Sequence, residues 1–262
     1  MGRSLIGGIL ANGYPKQFIR GADPDPAQRE RMRNLFGIEP VADNNQAIEH
    51  AEIVILAVKP QMMAGTVRGL AVELNQRRPL LISIAAGIRL SALRAWLGED
   101  LPAIRAMPNT PALIRAGATA LYANARVGRE QRESAETIMR SVGTVVWVDD
   151  ESLLDTVTAL SGSGPAYFFL LMEILEKAAI ELGLPPEQAR LLTLETALGA
   201  ARMALASDQD TASLRRQVTS PAGTTERALA VLTQGGIEAL VQGAVHAARQ
   251  RSVELADEFG KV

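Results

Sequence analysis

Cysteine is absent from the chain and histidine nearly so, with only His50 and His246, far apart in sequence. The first absence excludes disulfides, thiolate nucleophiles, Cys-based zinc sites and iron–sulfur ligation. The second excludes a histidine-rich metal centre and leaves a Ser-His-Asp triad only isolated residues to draw on. Aromatic residues make up 4%, too few for a base-stacking surface. Charge is balanced, with 27 Lys+Arg against 29 Asp+Glu, so no basic field marks a binder of nucleic acid or of an anionic membrane. No apolar run reaches the roughly 18 residues that a membrane span needs. The densest, residues 166–180, is interrupted by Glu173, Glu176 and Lys177. No cleavage-type flank follows Met1, and the expected compartment is the cytoplasm.

What is present is a globular composition, 47% hydrophobic and 21% charged over 262 residues. Ile53-Val54-Ile55-Leu56-Ala57-Val58 is apolar throughout and rich in β-branched residues, the pattern of a strand buried on both faces of a parallel sheet. Leu80-Leu81-Ile82-Ser83-Ile84 repeats it. Shorter strands are predicted at 18–22, 103–106, 118–122 and 144–148. Helical stretches are predicted between them at 26–35, 44–50, 61–74, 91–97 and 129–141. This alternation argues a doubly wound α/β domain. From residue 150 the strand signal vanishes, and helices are predicted at 152–159, 164–182, 186–206, 223–232 and 237–259. The boundary is placed at 148–152, giving domains 1–150 and 151–262. The stretch Tyr167-Phe168-Phe169-Leu170-Leu171-Met172 is apolar on nearly every face, which for a helix demands burial all round. A second subunit is the expected cover, against the plainer reading of a core helix.

Several short segments carry residue types suited to binding. Met1-Gly2-Arg3-Ser4-Leu5-Ile6-Gly7-Gly8 reads as the end of a G-x-G-x-x-G fingerprint and the start of its helix, or as any glycine-containing terminal helix. Ala57-Val58-Lys59-Pro60 ends a strand where open α/β sheets bind ligands, and is equally a strand–helix turn with a solvated lysine. Met107-Pro108-Asn109-Thr110-Pro111 fixes a loop with two prolines and offers the Asn109 amide; the alternative is a rigid connector. Ser161-Gly162-Ser163-Gly164-Pro165 is a candidate anion nest or a hinge. Thr219-Ser220-Pro221-Ala222-Gly223-Thr224-Thr225 places four hydroxyls in seven positions before a helix start, more than a cap requires.

Taken in order, these segments, with Ser83-Ile84-Ala85-Ala86-Gly87, resemble the pyrroline-5-carboxylate reductase family, and the resemblance runs through essentially the whole chain. It implies a Rossmann-like doubly wound parallel sheet followed by an all-helical dimerisation domain, in a homodimer that often builds a decamer. It implies hydride transfer to 1-pyrroline-5-carboxylate, giving L-proline, with NADP(H) as cofactor and NAD(H) also used. Carried over by position, Met1, Gly2, Asn44, Ala57, Val58, Lys59, Pro60 and Ala85 fall at dinucleotide-contacting positions. Ala22 and Pro24 fall in the adenosine-ribose region, and Asn109 near the nicotinamide or the substrate. Ser161, Ser163 and Gly164 fall on one substrate loop. Ser220, Gly223 and Thr224 match the loop that holds the carboxylate, and Thr225 the threonine that bonds the substrate ring nitrogen and so serves as the catalytic residue. Ala222 stands where the family usually has Gly, and its methyl is expected to narrow the approach to the carboxylate.

The family pattern is a strand followed by G-x-G-N-M-G, and this sequence begins at that Met, so a trimmed or misassigned start is the expectation. For cofactor choice, Asp23 suits a ribose hydroxyl and Arg20, Arg29 or Arg31 a 2′-phosphate. Two other classes compete. A two-domain β-hydroxyacid dehydrogenase needs a catalytic Lys in the helical domain, where Lys177 is the only non-terminal candidate. The other is a non-enzymatic helical dimer with impaired cofactor binding.

Overall fold

A computed structural model of the chain describes residues 1–260, so the last two residues of the expected second domain lie outside the described residues. By compactness the chain forms two units: residues 1–163 joined by those from Ala247 onward, and residues 164–246.

The first unit is built on a five-stranded sheet of order β1 (Ile53–Leu56), β2 (Leu80–Ser83), β3 (Ala103–Met107), β4 (Gly117–Ala123) and β5 (Gly143–Trp147). β1, β2 and β3 run parallel, with Leu56 opposite Ser83 and Ser83 opposite Arg105. β4 is antiparallel to β3 and parallel to β5. The reversal follows from chain length: residues 108–116, holding only a short 3-10 turn at Thr110–Ile114, are too few for the crossover that parallel pairing needs.

The strands read as unbroken apolar runs because both faces are covered. Val54, Leu56 and Leu81 pack against Ile48 of α3 (Asn44–Ile48), against Met63, Val67, Leu70 and Leu74 of α4 (Pro60–Arg77), and against Leu93 and Trp96 of α5 (Leu90–Leu97). Leu80, Ile82, Ile104 and Leu121 face the other way, onto Leu5 of α1 (Gly2–Ala11) and Ala135 and Met139 of α6 (Arg129–Arg140). α2 (Pro26–Phe36) has Pro26 in its first turn, the Asp25 side chain capping Ala27 N–H, and left-handed Gly37 at its end. The strand predicted at 18–22 does not form. A 3-10 turn covers Lys16–Phe18, and Ala22 makes only an isolated parallel bridge to Val41.

The compact units divide later than residue 150 because the polypeptide after β5 stays tied to the sheet. α7 (Leu153–Val157) is followed by one π turn (Thr158–Gly162). Arg105, buried in β3, donates from Nη1 to Glu151 Oε1 at 2.9 Å, and the same oxygen accepts Leu90 N–H at 2.7 Å. Glu151 therefore caps α5 from outside it while neutralising a guanidinium held away from water. Asp155 in α7 accepts from Ser252 Oγ at 2.7 Å, and Arg89 Nη2 lies 3.8 Å from Asp155 and 3.9 Å from Asp257. Ser252 and Asp257 belong to the returning half of α12 (Ile237–Phe259).

The second unit is helical: α8 (Gly164–Glu181), α9 (Pro186–Ala206), α10 (Thr211–Gln217), α11 (Thr224–Gln234) and the first half of α12. α8 and α9 pack on each other. Their remaining apolar surface is bare: Phe168 and Phe169 are each 64% exposed, and Leu170, Ile174, Leu191 and Leu192 are exposed as well. By length and composition the continuous stretch Leu153–Glu181 is apolar enough to cross a membrane. Glu173 and Lys177 pair on it at 2.6 Å.

Removing one partner of a buried ion pair leaves the other charge uncompensated. Arg105→Ala is expected to lower the unfolding free energy by about 3 kcal/mol, measured by urea titration. A loss under about 0.5 kcal/mol, the range of ordinary surface substitutions, would show that the junction does not hold the unit together.

Candidate active site

Parallel pairing aligns the carboxyl ends of β1, β2 and β3 along one edge of the sheet. Ala57-Val58-Lys59-Pro60, Ala85 and Met107-Pro108-Asn109 leave the sheet there. Lys59 occupies the cap position of α4 in extended conformation and is exposed, and Pro60 begins the helix, where its missing N–H costs nothing. The amino end of α1 comes to the same edge. A Cβ added to Gly2 would stand 3.2 Å from the Ala57 side chain, so the first turn of α1 lies close against the segment leaving β1. No side chain caps α1. Its first amides and the positive end of its dipole meet a surface that Gly2 leaves uncrowded, an arrangement suited to a phosphate. Gly2, Ala57, Lys59 and Ala85 thus lie along one edge of the sheet.

The residues expected around the adenosine ribose form a separate turn. Asp23 N–H donates to Val41 O, and Asp23 Oδ1 accepts Asp25 N–H at 2.9 Å. Arg29 Nη1 donates to the carbonyls of Asp23 and Pro24, and Arg20 Nη1 to Gln46 O at 3.2 Å. Of the three arginines considered for a 2′-phosphate, Arg29 thus holds this turn together and Arg20 ties the segment before it to α3. Ala22 and Pro24 lie within it, and Asn44 opens α3 behind the Asp43 cap.

Asn109 is not free to offer its whole amide. Its Oδ1 accepts Ala118 N–H at 2.9 Å and its Nδ2 donates to Ser161 O at 3.0 Å. Ser161 Oγ donates its proton to Val157 O at 3.0 Å, which leaves that hydroxyl with acceptor lone pairs only. Ser163 N–H closes the π turn on Thr158 O at 2.8 Å.

The second hydroxyl loop lies in the helical unit and is described by itself. Gly223 N–H bonds Ser220 O at 3.1 Å, and Ala222 N–H is taken by Glu226 Oε2 at 2.7 Å. Among the described residues the amides of Thr224 and Thr225 have no partner, and no side chain caps α11. The open donors are therefore narrower than the loop as a whole: they are the first turn of α11. Thr225 is half-buried there. Ala222 has φ 58°, in the left-handed region, which supplies a reason for glycine at this position besides room for a carboxylate. Lys177, the rival catalytic lysine, is held above its ordinary value by the hydrogen bond and charge of Glu173, opposite to what a general base needs. Glu151 and the structural use of the Asn109 amide gave no sequence signal, since both depend on partners distant in the chain.

The fold and site define a dinucleotide-binding oxidoreductase with an appended helical oligomerisation region. Residues 1–87 match the family described as NADP oxidoreductase, coenzyme F420-dependent, and residues 151–255 match pyrroline-5-carboxylate reductase dimerisation. The pyrroline-5-carboxylate reductase of Pseudomonas aeruginosa is 51% identical over 261 residues, covering 100% of this chain and 95% of that protein. The solved structure of the reductase from Coxiella burnetii superposes with a TM-score of 0.93 at 44% identity, covering 97% of this chain and 94% of that one. The Plasmodium falciparum enzyme, solved with NADP bound, has a TM-score of 0.87 at 28% identity, covering 98% and 94%. The chain belongs to the pyrroline-5-carboxylate reductase family. The bare faces of α8 and α9 lie within the dimerisation match, which supports a homo-oligomer.

Ala222→Gly removes a left-handed penalty of about 1–2 kcal/mol, offset by about 0.4–1 kcal/mol of added freedom in the unfolded chain. Denaturant titration is expected to show stability equal to the parent or up to about 1.6 kcal/mol higher. A loss of that size would show that the Ala222 methyl makes a contact outweighing the strain.

Proposed function

We infer that this chain reduces 1-pyrroline-5-carboxylate to L-proline with NADP(H), NAD(H) also serving, in the cytoplasm and without nucleic-acid or membrane partners. The observation that carries this reading is the 51% identity to a pyrroline-5-carboxylate reductase across the whole chain. The expected division into 1–150 and 151–262 follows the family's dimerisation boundary at residue 151. The assembly is a homodimer able to associate further into a decamer.

When bound, the reduced dinucleotide supplies the hydride for C5. Gly2 and the opening amides of α1 hold the pyrophosphate, with Met1 beside them. Ala57, Val58, Lys59, Pro60 and Ala85 line the strand ends, and Ala22, Pro24 and Asn44 serve the ribose end. The amides of Thr224 and Thr225 hold the substrate carboxylate, on a loop shaped by Ser220 and Gly223. The Thr225 hydroxyl holds the ring nitrogen, which passes from imine to amine as C5 is reduced. Ser161, having given its proton to Val157, accepts an N–H from the ring, and Ser163 and Gly164 complete that side. A protonated imine is already electrophilic, so the protein's work is positioning more than proton transfer.

Thr225→Ala is expected to lower kcat/KM by roughly 10- to 1000-fold while leaving NADPH affinity nearly unchanged. Steady-state kinetics beside a fluorescence titration of NADPH decide it. Parental turnover in the variant removes Thr225 from the reaction.

A further inference from the structure

The Ser161–Ser163 turn is a break in helical geometry that the rest of the chain must hold in place. Between α7 and α8 the helix widens into a single π turn, a feature often found at functional sites. Pro165 has no N–H to give the carbonyl four residues back, which is Ser161 O. A half-buried carbonyl at such a break gains from a donor supplied from elsewhere. It comes from Asn109, whose Nδ2 reaches Ser161 O at 3.0 Å across 52 positions of sequence. The other end of the same amide is fixed, since Oδ1 takes Ala118 N–H at the start of β4. The Asn109 backbone is fixed as well, by Pro108 before it and by the 3-10 turn whose Ala112 N–H bonds Asn109 O at 3.2 Å. Two residues earlier, the Met107 methyl packs so closely on Gly162 that a Cβ there would stand 2.6 Å from it. The loop leaving β3 thus grips the π turn twice, by a hydrogen bond at Ser161 and by contact at Gly162.

We propose that Asn109 is a positioning residue for substrate: its side-chain amide replaces the N–H that Pro165 lacks and sets the Ser161–Ser163 turn relative to the end of β3. It acts through that turn and makes no contact with the dinucleotide. This rests on the reading that residues 161–164 hold substrate. It departs from the simpler expectation that the asparagine itself faces the nicotinamide.

Asn109→Asp tests this in the full-length oligomer. The aspartate keeps the size and the acceptor for Ala118 N–H, removes the proton given to Ser161 O, and sets a carboxylate against that carbonyl. The expected result is a rise of roughly tenfold in KM for 1-pyrroline-5-carboxylate with a lower kcat, since displacing a positioned group by even 1 Å costs up to about 100-fold. The Kd for NADPH stays at the parental value. Should the aspartate variant not accumulate as folded protein, Asn109→Ala is read in the same way. A weakened NADPH Kd, with or without a change in KM, overturns the proposal and makes Asn109 a cofactor contact. Ser163→Ala separates the two levels. If it raises KM while Asn109→Asp does not, the proposal fails and the substrate reading stands. If neither variant moves KM, both fail.

Discussion

One carboxylate oxygen, Glu151 Oε1, holds the first unit's architecture in register. It neutralises Arg105 inside the sheet and accepts the first amide of α5. Without it a guanidinium would be buried unpaired and a helix would start with an orphan donor, each a cost that marginal stability absorbs poorly. Because Glu151 directly follows the segment after β5, the same contact fixes where α7 begins. Through α7 it also fixes where Asp155 meets Ser252 and Arg89. The π turn bearing Ser161 and Ser163 is three residues beyond Asp155 at its start, so its position descends from this junction.

The carboxyl edge of the sheet follows a different logic. It needs no charged constellation, because three parallel strand ends and one uncapped helix supply oriented amides with no side chain in the way. That is consistent with a chemistry in which placement does most of the work. It also fits a composition with no cysteine and almost no histidine. The helical unit is designed around cover instead. Phe168, Phe169, Leu170 and Ile174 stay exposed among the described residues, and the dimerisation region of the family spans them.

Much of this was legible in the sequence. The runs at 53–58 and 80–84 announced strands because burial on both faces removes the polar alternation that otherwise confuses the signal. The helix at 186–206 and the one at 237–259 appear with the predicted bounds, the former opened by Pro186. The strand expected at 18–22 had the residues but not the neighbours: a lone bridge to Val41 is all the pairing available to it among the described residues. α10 was missed because Thr211–Gln217 is short and polar, and its cap by Asp210 is worth little without a periodic apolar face. The reversal of β4 was hidden because period-two patterns carry no direction; the length of the connection carried it instead. Glycines and hydroxyls marked two loops, one on the π turn and the other holding left-handed Ala222. Which amides stay open did not show, because Glu226 and Ser220 consume two of them through side-chain and turn geometry.

The central claim is that the amino end of α1, against Ala57 at the carboxyl edge of the sheet, is where the dinucleotide is held. A crystal structure of the protein with NADP+ tests it most directly. The account predicts the pyrophosphate on the first amides of α1 at Gly2, with the strand ends at Ala57 and Ala85 beside it. A dinucleotide seated away from this edge, for example in the groove lined by Leu90, Arg94 and Asp100, would contradict it.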